Sequence, residues 1–358
     1  MSSSPAQTKL IPSGCNQSPA TPHLWKVSVS PHVRSGESVE EIMWTVVACL
    51  VPPLVFSVFI FGIQTLFITA VSVASCVAVE AATQKALGRK ITIGDGSAVI
   101  TGLLIAFVIP PGVSPLLPVL GAVMAIAIGK HLLGGIGYNI FNPALLGRAF
   151  LVATFPVAMT SAWLPPLSDL AIFSYLGTPI DAIATATPLA VLKTQGLAAF
   201  TEQFGAAANL YTNFFLGWRP GSIGETSGLL IVLGGLYLLY RGYITWHIPV
   251  SVLGTIALLT WCFGGETLFS GDPLLAILSG GALLGAFFMA TDYVSSPTNK
   301  TSQLIFGLGI GALTVLIRLK GGYLEGVCYA ILLMNPVSPV LDGFFKPKRF
   351  APLQGAPK

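Results

Sequence analysis

Ten apolar stretches follow one another along this chain, near 42–62, 64–83, 97–110, 115–133, 143–160, 228–243, 247–264, 272–291, 302–319 and 323–341. A helix that crosses a bilayer needs about 20 such residues. Only 9% of the 358 residues are charged and 53% are hydrophobic, whereas soluble domains carry about 25% charged residues. A surface that poor in charge cannot face water, so the reading is an all-α polytopic membrane protein of about ten transmembrane helices. The third stretch is short and closes on Pro110-Pro111, which predicts a half-span or a broken helix. Gly281-x-x-x-Gly285 and Gly307-x-x-x-Gly311 predict close helix packing.

The basic residues set the orientation. With both termini in the cytoplasm, Lys85, Arg89, Lys90, Arg241, Lys300 and Lys346 fall inside, and Lys193, Arg219, Arg318 and Lys320 fall outside. The predicted organisation is a cytoplasmic tail over 1–41, a five-helix repeat over 42–160, a periplasmic segment over 161–227, a second five-helix repeat over 228–341, and a cytoplasmic tail over 342–358. A Ser38-Val-Glu-Glu41 capping box opens the first helix. The halves echo each other: Gly94-Asp95 matches Gly271-Asp272, and Lys130-His-Leu-Leu-Gly-Gly135 matches Arg318-Leu-Lys-Gly-Gly322. Five spans per half make this an inverted-topology repeat. No apolar signal region is seen in the first forty residues.

Several classes are excluded. The basic residues form no patch, which speaks against nucleic acid. Cys15, Cys49, Cys76, Cys262 and Cys328 have no iron–sulfur or zinc spacing and read as small buried hydrophobes, so no metal site is expected.

Four polar constellations could carry chemistry. Asn139 and Asn142 stand three apart before Pro143, as a pair of carboxamides for a planar ligand or as ordinary helix caps. Arg148 follows inside an apolar run and needs a partner or a wet cavity. In Pro220-Gly-Ser-Ile-Gly-Glu225, the turn at Ser222 could hold an anion at a helix start, although Glu225 argues against a purely anionic pocket. Asp292 ends the eighth stretch and could serve an ion path, bind a ligand or cap a helix. The fourth constellation is the polar island Asp181-Ala-Ile-Ala-Thr-Ala-Thr-Pro-Leu189. Pro188 pushes Thr187 toward extended backbone. The island is a spacer, or a place where a hydroxyl is esterified by another enzyme.

Together these segments resemble the RnfD/NqrB family of flavin-carrying subunits, and within it RnfD, given the short chain ahead of the first span. The resemblance runs from about Ser30 to Asp342. It rests on Gly129-Lys, Asn139-x-x-Asn-Pro-Ala-Leu-x-Gly-Arg-Ala-Phe150, Pro220-Gly-Ser-Ile-Gly-Glu225, Phe288-Met-Ala-Thr-Asp292 and Glu325-Gly. It implies FMN joined by a phosphoester to Thr187, the end of a motif that reads Ala184-Thr-Ala-Thr187 here. Alanine stands at 184 and Thr185 replaces glycine, which makes Thr185 a competing site. It implies a second, non-covalent flavin (riboflavin) contacted by Asn139 and Asn142, with Ser222, Glu225 and Arg148 as further cofactor-site residues. It also implies partner subunits with iron–sulfur centres and another covalent FMN, in the bacterial inner membrane. The expected function is electron exchange between NADH and ferredoxin coupled to Na⁺ or H⁺ translocation, with Asp95, Asp292, Glu325 and Arg148 as coupling residues. The rival readings are a small-solute transporter or channel, resting on the inverted repeat, and a membrane anchor without a cofactor.

Overall fold

The computed structural model describes residues 37–167 and 207–346, apart from 266 and 324, together with Leu189, Val191 and Lys193. Among the described residues the regular structure is helical throughout. The predicted island with Thr185 and Thr187, and Cys15, lie outside them.

Helix α1 (Val39–Phe61) and α2 (Ile63–Ala86) form a hairpin joined at Gly62, whose φ of 79° suits a residue without a Cβ. Each is about 35 Å long at 1.5 Å per residue, enough to cross a bilayer. Pro52 and Pro53 sit inside α1 without ending it, as neighbouring helices allow in a membrane. Helix α3 (Ser97–Phe107) is only about 16 Å long. The third stretch is short, as expected, and the chain from Val108 to Val113 that follows it is buried in protein, where irregular backbone is tolerated.

Helix α4 (Leu116–Ala122) continues as a π-helix from Val123 to His131. The predicted 143–160 span is split into α5 (Pro143–Thr154) and α6 (Pro156–Ser161), because Pro156 cannot donate into the preceding turn. After α7 (Ala207–Leu216) come α8 (Gly228–Tyr240) and α9 (His247–Phe263). The predicted 272–291 span is also broken. Helix α10 (Pro273–Leu278) stops at Ser279, Gly280 and Gly281 each take φ of 64°, and α11 (Ala282–Leu284) resumes and runs into a π-helix over Gly285–Met289. Helix α12 (Lys300–Lys320) is continuous. The last span starts at Val327, later than the predicted 323, and runs through α13 (Val327–Met334), a 3₁₀ turn and α14 (Ser338–Phe344).

Four of these stretches are long and apolar enough to cross a membrane: α1, α2, α12 and Val327–Phe344. The other predicted spans are occupied by shorter or broken helices. One apolar core, with Leu50, Ile68, Ile105, Phe107, Ile126, Leu145, Phe306 and Ile310, ties them together. The close packing expected at Gly307 and Gly311 is found. A Cβ on either would fall 2.7 Å from Ser251 Cβ or 2.5 Å from Thr255 Cβ on α9. Ser251 Oγ donates across this seam to the Leu304 carbonyl at 2.6 Å. Cys49, Cys76 and Cys328 are free and buried, as small hydrophobes.

Candidate functional site

Two polar clusters stand near the ends of α3. At its N-terminal end lies a cavity of about 110 Å³. Apolar walls come from Ile100, Leu104, Phe287 and Phe288, and polar groups from Asn139, Asn142, Asp292 and Lys130. Asn142 is the N-cap of α5: its Oδ1 accepts from the Ala144 and Leu145 amides, and its Nδ2 donates to the Met289 carbonyl at 3.2 Å. The helix-cap reading of Asn142 therefore holds, and the same side chain fastens α5 to the end of the π-helix that leads to Asp292. Asn139 donates to the Phe141 carbonyl at 3.1 Å, and Ser295 Oγ donates to Asp292 Oδ2 at 2.8 Å.

Behind the cavity wall lies a charge cluster that sequence reasoning missed. Glu80 (0% exposed) faces Lys130 (3%) and His131 (4%). Lys130 Nζ donates to Glu80 Oε1 and to Ser97 Oγ, both at 2.6 Å. Ser97 Oγ donates in turn to Asp95 Oδ1 at 2.6 Å. Asp95 thus accepts from both the amide and the hydroxyl of Ser97, the first residue of α3, and is linked to Lys130 through that hydroxyl. The missed signal was legible: a glutamate in the middle of an apolar run is expensive and needs a partner.

Near the other end of α3, three arginines and two glutamates surround the break between α10 and α11. Arg148 pairs with Glu325. Arg219 donates to the Leu278 carbonyl at 2.6 Å and lies 3.8 Å from Glu225 Oε2. Arg318 donates to the carbonyls of Ala276 at 2.6 Å and Ser279 at 2.9 Å, the exposed acceptor end of α10. The Ser222 turn is closed by the protein's own carboxylate, because Ser222 Oγ donates to Glu225 Oε1 at 2.8 Å. Arg148 and Glu325 also line a second, smaller cavity with Trp163, Tyr323, Cys328 and Tyr329.

The structure therefore brings Asn139, Asn142 and Asp292 together, and Arg148, Glu325, Ser222 and Glu225 together, at separate places. Thr187 lies outside the described residues, but Leu189, two positions on, does not. Its side chain and that of Arg318 occupy the space that a Cβ on Gly280 would need. Lys193 Nζ donates to the Gly321 carbonyl at 2.6 Å. Among the described residues no cluster of three or more His, Cys, Asp or Glu could hold a metal.

A sequence model described as the NQR2, RnfD, RnfE family matches residues 26–351. The chain is 51% identical over 329 residues to the D subunit of the proton-translocating ferredoxin:NAD(+) oxidoreductase complex of Clostridium ljungdahlii, covering 92% of this chain and 96% of that one. It is 44% identical to the D subunit of the Na(+)-translocating ferredoxin:NAD(+) oxidoreductase complex of Acetobacterium woodii, covering 89% and 93%. It is 39% identical to the D subunit of the ion-translocating oxidoreductase complex of Stutzerimonas stutzeri, covering 87% and 92%.

Proposed function

Because this chain belongs to the NQR2, RnfD, RnfE family, we propose that it is a membrane subunit of an ion-translocating ferredoxin:NAD(+) oxidoreductase complex. In this reading it carries electrons between FMN esterified to Thr187 and a second, non-covalent flavin (riboflavin), and the complex couples that flow to Na⁺ or H⁺ translocation across the bacterial inner membrane. Its partners are the iron–sulfur and FMN-carrying subunits. The relatives' names include both a proton-translocating and a sodium-translocating complex, so family membership leaves both ions in play.

The observation that carries the reading is the cavity at Asn139 and Asn142. Apolar and aromatic walls with a few convergent polar groups suit a flat heteroaromatic ligand with a polar edge. Flavin supplies redox chemistry, and the protein fixes its position and electronics. Asn139, Asp292 and Lys130 are the wall groups that would face it. For the covalent flavin the support is the motif ending at Thr187.

The proposed orientation keeps both termini and Lys300 in the cytoplasm and residues 161–227 in the periplasm. It is supported by α12, which separates Lys300 from Arg318 by its full length. The two five-helix halves are supported by Asp95 and Asp272. Asp95 accepts from Ser97 N at 2.9 Å just ahead of α3, whose N-cap is Gly96, and Asp272 is itself the N-cap of α10, accepting from Leu275 N at 3.1 Å.

The test is a denaturing gel under ultraviolet light. The chain from cells with an intact flavin-attachment system fluoresces, and Thr187→Val goes dark. A dark wild-type band would overturn the covalent-flavin reading. Mass analysis of the peptide holding Thr185 and Thr187 locates the ester. Flavin released from the Thr187→Val protein by denaturation reports the second site, and finding none there removes it.

A further inference from the structure

We propose that His131 and Glu80 form a proton-binding site built into the π-helical end of the fourth span, with Lys130 linking it to the Asn139–Asp292 cavity. The ring of His131 is buried, and its Nε2 lies 3.5 Å from Glu80 Oε1. A facing carboxylate assigns the neutral ring's hydrogen to Nε2. That leaves Nδ1 as a bare acceptor; neither ring nitrogen makes a hydrogen bond among the described residues. Glu80 Oε2 makes none either. Nδ1 faces Gly135, in the turn that Arg89 fastens by donating to the Gly134 carbonyl at 2.7 Å. Gly135 is itself buried, and the next residues of the turn, Ile136, Gly137 and Tyr138, are exposed.

The step forms one N–H bond at Nδ1 and breaks one O–H bond in the donor, a hydronium ion at the turn. It turns the cluster from net zero (Glu80⁻, Lys130⁺, neutral His131) to +1, with the imidazolium's Nε2–H against Glu80. The π-helix makes the cluster possible. It carries Lys130 and His131 as adjacent residues that both reach Glu80 on α2, and π-turns are common at functional sites. A metal cation has no place here. The Lys130 ammonium already fills the position between Glu80 Oε1 and Ser97 Oγ, at 2.6 Å from each. The other groups facing the cluster are Cys76 and Gln84 on α2, Thr92 and Arg89 in the following loop, and Asp95 beside Ser97. Burial is the largest influence and opposes the added charge, Glu80 favours it, and Lys130 and Arg89 oppose it.

Lys130 and Ser97 also line the cavity. A negative charge arriving there is felt at Glu80 through a single ammonium, and proton loading at His131 offsets it. This use of the site rests on the flavin reading; the site itself does not.

The test is ring-nitrogen magnetic resonance on the full-length chain grown with isotope-labelled histidine. The chain has four histidines, His23, His32, His131 and His247. His131→Gln identifies the signal and leaves the Glu80–Lys130 pair intact. The expected result is a ring that gains its proton at Nδ1 as pH is lowered across the range in which the protein stays folded, with a midpoint unmoved by sodium. In folded Glu80→Gln protein, which loses the carboxylate facing the ring and keeps the opposing Lys130 charge, proton affinity falls by about tenfold or more, a full pKa step. A ring that stays neutral over that range overturns the proposal. So does a midpoint that sodium shifts, or an unchanged midpoint in folded Glu80→Gln protein. None of these outcomes depends on whether flavin is bound, so the two readings fail separately.

Discussion

Lys130 Nζ meets Glu80 Oε1 at 2.6 Å with both side chains buried, across fifty residues of chain. The pair fixes the end of the π-helix to α2, and each is the other's only permanently charged partner in direct contact among the described residues. Removing one member leaves a buried charge uncompensated, whereas removing both can be close to neutral. Lys130→Met is therefore expected to destabilise the protein by about 3–5 kcal/mol. Glu80→Leu/Lys130→Met should recover most of that loss. Thermal unfolding in detergent of both singles and the double closes the cycle, and additive losses would refute the coupling.

The α9–α12 seam gives a steric prediction. A side chain at Gly307 would press on Ser251 and on the Ile248 carbonyl at 3.1 Å, a backbone atom that cannot step aside. Gly307→Val should cost at least about 1–3 kcal/mol from overpacking. Gly254, on α9 itself, has open space where its Cβ would be, so Gly254→Ala should gain about 0.5–1 kcal/mol from helix propensity. Melting temperatures that move in the same direction in both variants would contradict this packing.

Asn142 does two jobs that substitution separates. Asn142→Asp keeps the acceptor for the Ala144 and Leu145 amides and loses the donor to Met289. Asn142→Ala loses both. The alanine variant should lose about 0.5–2 kcal/mol through the cap, plus the Met289 bond. The aspartate should keep helix α5 yet alter the cavity that its amide helps to hold. Unfolding midpoints and the flavin content of purified protein check the two effects independently.

Outside the spans, Tyr211 on α7 donates to Asp272 Oδ2 at 2.5 Å. That hydrogen bond, with burial and the carboxylate's charge behind it, holds the phenol above its ordinary range. The sign follows directly. A raised folded-state value means stability that is fully present below the unfolded phenol's value, near 10, and lost as pH rises through the folded one. Wild type should lose stability in that alkaline window more steeply than Tyr211→Phe. At neutral pH the phenylalanine variant should be less stable by about 1 kcal/mol, solvent screening included. Parallel pH–melting curves would argue against the bond.

The sequence and the structure divide along physical lines. Helix existence was legible wherever an apolar run met a cap or a proline: Asn142-Pro143 opens α5, and Gly307-x-x-x-Gly311 lies against Ser251 and Thr255. Helix continuity was not. A hydropathy window reads 272–291 as one span, because Ser279-Gly280-Gly281 is as tolerable to an apolar average as it is disruptive to a helix. Site residues that stand in motifs, such as Asn139, Asn142 and Asp292, could be named in advance and do share one cavity. Glu80 and Arg318 could not be placed in advance, because their partners are distant in the chain.

What the sequence determined by itself was the solvent. Too few charges to face water dictate a helical membrane protein. What only the tertiary structure decided was the pairing of the few charges inside it. A charge buried among apolar helices must be neutralised by whatever lies within a few ångströms, and that distance is set by packing. Glu80 is matched by Lys130 and Arg148 by Glu325, and Arg318 is spent on the open end of α10. No local pattern announces these matches, because the partners are brought together only when the helices pack.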